Sequence, residues 1–229
     1  MLKKLATIAL SVASVVGFAQ AQTVGVDVSA LTSVSAFQCA NGEGYTQAVV
    51  RCYIEAYGQN PGGALDSNCY QNYQNALDGG FDAVDIYMFP CSGRSTCKSP
   101  GTQVQEIIDY VGSNKMTFGT LWLDVEIDPS ANNWPSASEA QATLQEYKSV
   151  LNASGWKWGV YSSQSQWSQI VGSADWELDS SVPVWYAHWD EALSFDNFAT
   201  FGGWSKPTIK QYAGDVTFCS AGWDKNYYG

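Results

Sequence analysis

Asp124 and Glu126 stand one residue apart in the run Leu121-Trp122-Leu123-Asp124-Val125-Glu126. On a strand, side chains at i and i+2 leave the same face, here about 6 to 7 Å apart along the backbone. Such crowding raises the proton affinity of one carboxyl group. A protonated carboxyl beside an ionised one suits glycosidic bond cleavage. That reaction needs a proton for the leaving oxygen and negative charge, or a nucleophile, near the developing oxocarbenium ion. An isolated Asp-x-Glu also occurs by chance on exposed strand edges, so its context matters. Here the other parity is Leu, Leu and Val, and Asp128-Pro129 follows at once and should turn the chain away. Asp27, ending Val24-Gly25-Val26-Asp27, and Asp224 near the last run would each read alone as a cap or turn former.

The elements that must position these groups recur along the whole chain. Short apolar runs bounded by Gly, Pro or Asn predict strands over 24–28, 48–54, 83–88, 117–125, 156–161, 182–187, 208–212 and 216–219. Helix-like segments over 69–77, 103–111 and 138–151 lie between some of them, the last opening with Ser138 as its cap. Strand–helix alternation implies a parallel sheet, and eight strands in one domain imply closure. The later strands lack good helices between them. The expected fold is therefore α/β, an incomplete TIM-like barrel with eight strands and a reduced set of helices. The apolar parity would face the helices, leaving Trp122, Asp124 and Glu126 inside, with Asp85, Tyr87 and Phe89 facing inward from residues 82–89. In a closed barrel the first and last strands are neighbours, so Asp27 and Asp224 would meet at one rim.

Lys3 and Lys4, the apolar run Leu5 to Phe18 and the small-x-small triplet Ala19-Gln20-Ala21 predict an export signal over 1–21. A single domain over 22–229, 208 residues long, would follow. No later segment approaches about 20 apolar residues, so the expected product is secreted, with no membrane partner. An even count of six cysteines in an exported chain predicts three disulfides, with Cys91–Cys97 the pairing favoured by proximity. No Cys-x-x-Cys appears and His188 is the only histidine, so neither a metal nor another cofactor is expected. Net charge is −11, or −13 without the two signal lysines, which argues against nucleic acid as a partner. Trp185, Tyr186 and Trp189, near His188 and Asp190, are either sugar-stacking walls of an acidic cleft or ordinary core.

Taken in order, these motifs resemble glycoside hydrolase family 25, the Chalaropsis-type lysozymes, over essentially the whole mature length. The resemblance rests on Gly25-Val26-Asp27-Val28-Ser29, Val84-Asp85-Ile86-Tyr87, Leu123-Asp124-Val125-Glu126, Gly159-Val160-Tyr161-Ser162, Lys210-Gln211-Tyr212 and Asp224-Lys225-Asn226-Tyr227-Tyr228. Phe89-Pro90-Cys91 is closer to the family's eukaryotic members, and Pro183-Val184-Trp185-Tyr186-Ala187 is similar to its sixth strand. One departure is Trp223, where the family commonly has a smaller apolar residue before the final Asp-x-Asn. The resemblance implies an N-acetylmuramidase acting as a monomer on bacterial peptidoglycan. It implies Glu126 as general acid/base, Asp124 as the partner of the substrate's acetamido group, and Asp27 and Asp224 as further members of the acidic cluster. Asp85, Tyr87, Tyr161, Trp185 and Gln211 become substrate-binding candidates. Retention of configuration, with the acetamido group as nucleophile, is also implied; the sequence itself leaves direct attack by Asp124, or inversion, open. Two other functions fit the same barrel: hydrolysis of chitin-like N-acetylglucosamine polymers, and sugar binding without catalysis.

An acidic enzyme facing an anionic wall is repelled over distances that salt screens, the Debye length being about 8 Å at physiological strength. Moderate salt is therefore expected to raise the initial rate on intact walls at neutral pH. Rates that fall steadily with added salt would show that a local basic patch governs docking instead.

Overall fold

The computed structural model describes residues 22–55, 60–129 and 133–229. The expected export signal, 1–21, lies outside the described residues. Eight strands close into a barrel: β1 (Thr23–Val28), β2 (Tyr45–Ile54), β4 (Ala83–Met88), β5 (Leu121–Asp124), β6 (Trp158–Ser162), β7 (Val184–Ala187), β8 (Ile209–Phe218) and β9 (Ala221–Tyr228). The two-residue β3 (Ala64–Leu65) pairs on the edge of β2. Five described helices follow the first five barrel strands: α1 (Val34–Gly42), α2 (Cys69–Asp78), α3 (Pro100–Ser113), α4 (Ala137–Ser154) and α5 (Gln164–Val171). No described helix separates β7 from β8, or β8 from β9, so the set of helices is reduced as the sequence implied.

Two expectations need correction at the C-terminal end. Residues 216–219 are not a separate strand; 216–218 extend β8, which runs past the barrel as one long arm of a hairpin, and Cys219 enters its turn. The eighth barrel strand is β9, and it runs antiparallel to both β8 and β1, so the sheet is mixed rather than wholly parallel. Ala221-Gly222-Trp223-Asp224-Lys225-Asn226-Tyr227-Tyr228 carries no apolar run because its polar members Asp224 and Asn226 face the barrel mouth and are paired there. A third correction concerns α4. Its cap is Ser136 rather than Ser138, because Glu139, three residues on, closes a reciprocal capping box with Ser136.

Alternation sorts the side chains into two cores. Leu121, Leu123 and Val125 join the outer core beneath the helices. Val49, Trp122, Tyr161, Trp185 and Ile209 form a separate core inside the barrel. Trp185 sits at its centre, with ring centroids 4.5 Å from Tyr161, 5.8 Å from Trp122 and 6.3 Å from Tyr87. The Trp122 indole fits because residue 159 is glycine: a Cβ there would lie 2.5 Å from its ring. Trp223 packs outside, edge-on to Phe37 of α1 at 5.1 Å. Its bulk is thus accommodated on the face away from Asp224.

Three disulfides are present: Cys91–Cys97, as proximity suggested, Cys52–Cys69 and Cys39–Cys219. The last ties α1 to the tip of the β8–β9 hairpin, whose two-residue turn Cys219-Ser220 has positive φ at both positions. That is the turn geometry a tight hairpin favours, but it costs each non-glycine residue about 1 kcal/mol or more. The bridge anchors the turn despite that cost. Cys39–Cys219 spans 180 residues of chain and Cys52–Cys69 spans 17. Loop-closure entropy then assigns them about 5 and about 3 kcal/mol respectively. Urea unfolding of the Cys39→Ala/Cys219→Ala and Cys52→Ala/Cys69→Ala double variants should show the first as the less stable. Equal losses, or the reverse order, would show that chain entropy does not govern these bridges.

Candidate active site

The carboxyl ends of β1, β4 and β5 open on one mouth of the barrel, and β9 enters from that same mouth because it runs the other way. Asp27 and Asp224 are consequently direct register partners on adjacent strands, as are Gln211 and Asn226. The two amides hold the two carboxyls. Asn226 Nδ2 donates to Asp27 Oδ2 at 2.7 Å, and Gln211 Nε2 donates to Asp27 Oδ2 at 3.1 Å and Asp224 Oδ2 at 3.2 Å. Each amide is oriented in turn from its oxygen side. Trp185 Nε1 donates to Asn226 Oδ1 at 2.8 Å, and Tyr161 Oη donates to Gln211 Oε1 at 2.8 Å. With the oxygens occupied by donors, the NH₂ groups are left to face the carboxylates. Asp215 N–H completes the shell with a 2.7 Å bond to Asp224 Oδ1.

Asp124 ends β5 inside the mouth, 4% exposed, and its Oδ1 has no hydrogen-bond partner among the described residues. Glu126 lies two residues past the strand. Its segment is held from the backbone: Asn133 Nδ2 and Trp134 Nε1 both donate to the Glu126 carbonyl, at 2.9 and 2.8 Å. Asn133 Oδ1 also accepts from Asp128 N at 2.9 Å, and Gln166 Oε1 accepts from Ile127 N at 3.0 Å. Asp27, Tyr87 and Asp224 line one cavity of about 320 Å³. Glu126 and Tyr161 line a second, of about 400 Å³, with His188 and Trp189. Trp185 and Gln211 are buried behind them. Asp85 stands apart, one layer deeper in the barrel. Its two oxygens accept from Thr120 N at 2.8 Å and Trp122 Nε1 at 2.9 Å, so its contacts seat Trp122 rather than face either cavity.

Comparison with known proteins gives the family and the fold. A family model described as "Lysozyme-like protein 1" matches residues 19–212. The chain is 36% identical to "Probable GH family 25 lysozyme 5" of Dictyostelium discoideum over 206 residues, covering 90% of each chain. It is 35% identical to "Lysozyme-like protein 5" of Caenorhabditis elegans over 205 residues, covering 89% of this chain and 90% of that one. The chain belongs to the family 25 glycoside hydrolase lysozymes. A family 25 lysozyme of Aspergillus fumigatus shares the fold, with a TM-score of 0.69 at 17% identity over 91% of this chain and 94% of that one.

Electrostatics in this lysozyme follow from burying like charges together. Glu126 is pushed up to about 7, by burial first and then by Asp224 and Asp128. Asp124 is raised well above the ordinary range by burial, Glu126 and Asp27, with Arg51 opposing. Asp27 is likewise raised by burial and Asp224, against the bonds from Asn226 and Gln211. Several contributors were not evident in the sequence. Arg51, ion-paired to Asp66 at 2.7 Å, shares the inward parity of Val49 on β2, and that parity was its only signal. Glu55, just past β2, is buried and pushed up to about 8 by its burial and by Asp128. Asn133 and Trp134 lie in a stretch with no periodic pattern, so nothing in the sequence marked them as holding Glu126.

A raised carboxyl pKa in the folded state has a definite sign in stability. Its contribution is complete below the unfolded value of 4.5 and is lost as pH rises through about 7. Glu126→Gln removes that titration. The variant should therefore gain thermal stability over the parent on going from pH 4 to pH 8, by at most on the order of 3 kcal/mol. A stability gap that does not change with pH would show that Glu126 titrates normally.

Proposed function

We propose that this lysozyme cleaves the β-1,4 bond between N-acetylmuramic acid and N-acetylglucosamine in bacterial peptidoglycan, with retention of configuration. The observation that carries the reading is Glu126, pushed up to about 7 at the edge of a cavity, two residues from the buried Asp124, whose Oδ1 has no partner among the described residues. Protonated below that pH, Glu126 gives its proton to the glycosidic oxygen as the bond from C1 of the muramic residue breaks. The carbonyl oxygen of that residue's acetamido group attacks C1, and Asp124 accepts the acetamido N–H and balances the positive charge of the ring that forms. Water then attacks C1, its proton passes to Glu126, and the acetamide is restored. Burial, with the negative charge of Asp224 and Asp128, keeps the proton on Glu126, and Tyr87 bounds the sugar site beside Asp27 and Asp224.

Disulfides in a chain whose first residues read as an export signal support secretion. The net charge of −11 offers no general attraction to nucleic acid. We infer that the enzyme acts as a monomer on wall polymer outside the cell.

Digestion of purified peptidoglycan, with mass analysis of the new reducing ends, tests the assignment. Muramic acid at every new reducing end is expected, and Glu126→Gln should lower the rate roughly a hundred- to ten-thousand-fold with the fold intact. Release of sugar from chitin but not from wall would point to an N-acetylglucosamine polymer hydrolase. Binding of wall without cleavage by the parent enzyme would point to a sugar-binding protein.

A further inference from the structure

Of ten tryptophans, only Trp189 is exposed, at 58%. Its position is nonetheless fixed from several directions. The indole lies over Gly214, where a Cβ would come within 2.1 Å of the ring, so glycine makes the seat on which one face rests. Its Nε1 donates to Gln211 Oε1 at 2.9 Å, the same oxygen that accepts from Tyr161. The backbone on either side continues the pairing of β7 with β8, through His188 N to Gln211 O at 2.9 Å and Glu191 N to Tyr212 O at 3.0 Å. Behind this shelf, Lys210, 0% exposed, pairs with Asp190 at 2.6 Å and donates to the carbonyls of Ala192 and Ser194.

A glycine seat and a bond to the buried Gln211 hold this one exposed aromatic in place. The free face of Trp189 and the half-exposed His188 border the cavity of about 400 Å³ that also holds Glu126 and Tyr161. A flat apolar face with polar neighbours matches a pyranose ring, whose axial C–H groups stack while its hydroxyl and acetamido groups bond at the edge. Trp185 and Tyr186 are buried at 2% and 4% and offer no such face.

We propose that Trp189 is the stacking platform for one N-acetylated amino-sugar ring of the glycan, next to Glu126, and determines how tightly the cleft holds its polymer. The proposal rests on the reading of the cleft as a glycan hydrolase site. Gln211 makes the platform more than a surface patch, because the indole that meets the sugar also steadies the amide that bonds Asp27 and Asp224. A second role follows from that bond, and the test must separate the two.

The test uses full-length enzyme carrying Glu126→Gln, so that substrate is bound and not consumed, with a soluble wall tetrasaccharide as probe and calorimetry as readout. Trp189→Ala should weaken binding roughly 3- to 10-fold, the usual worth of an aromatic contact. Gly214→Ala, which keeps the indole but pushes it off its seat, should weaken binding in the same direction. Trp189→Phe keeps an aromatic face and loses only the N–H, so it should retain most of the affinity. Equal losses in Trp189→Ala and Trp189→Phe would overturn the platform and leave Trp189 as an anchor for Gln211 alone. Unchanged affinity in Trp189→Ala would overturn it outright. No binding by the Glu126→Gln parent, with Trp189 intact, would instead remove the reading of the cleft as a wall-glycan site, and the platform with it.

Discussion

Carboxyl groups gathered at the mouth of a closed barrel must be desolvated together, and burial disfavours every one of their charges. Around Asp27 and Asp224 the structure meets this constraint with neutral donors, while Arg51 opposes the rise at Asp124. Gln211 and Asn226 aim their amides at Asp27 and Asp224, and Tyr161 and Trp185 occupy the amide oxygens so that the NH₂ ends point the right way. Full neutralisation by a lysine or arginine at this position would lower the pKa of Glu126. Amides steady the carboxyls while leaving much of the repulsion in place, and that repulsion adds to burial in raising the proton affinity of Glu126.

The antiparallel final strand is part of the same solution. Because β9 enters at the mouth, its early residues Asp224 and Asn226 reach the site that a parallel strand would reach only at its end. The cost is a long hairpin standing beyond the barrel, with a turn of two left-handed non-glycine residues, and the Cys39–Cys219 bridge fixes its tip to α1. Closure of the barrel, placement of Asp224 and covalent anchoring of the chain ends are therefore linked in one device. Burying several like charges also costs stability at neutral pH, which packing inside and outside the barrel must offset.

Much of this was legible in the sequence wherever periodicity carried it. Alternation in Leu121 to Glu126 separated the outward Leu121, Leu123 and Val125 from the inward Trp122 and Asp124. Closure implied that Asp27 and Asp224 would meet, and they are register partners. What escaped was set by contacts distant in sequence. β9 was unreadable as a strand because its mouth-facing side is polar and satisfied by partners on β1 and β8. Asp85 shares the inward parity of Tyr87, yet parity gives no depth, and its bonds to Thr120 and Trp122 place it a layer below the cavities. Among the aromatics, composition could not tell buried Trp185 from exposed Trp189; Trp189 is seated by Gly214 and Gln211, more than twenty residues away.

Burial and neighbouring carboxylates, chiefly Asp224, hold the Glu126 proton. The direct measurement is the titration of the Glu126 carboxyl carbon by nuclear magnetic resonance, in the intact enzyme and in Asp224→Asn. The account requires a midpoint near 7 in the parent and a lower one in the variant. A midpoint near the ordinary 4.5 in the folded parent, unmoved by the loss of Asp224, would contradict it.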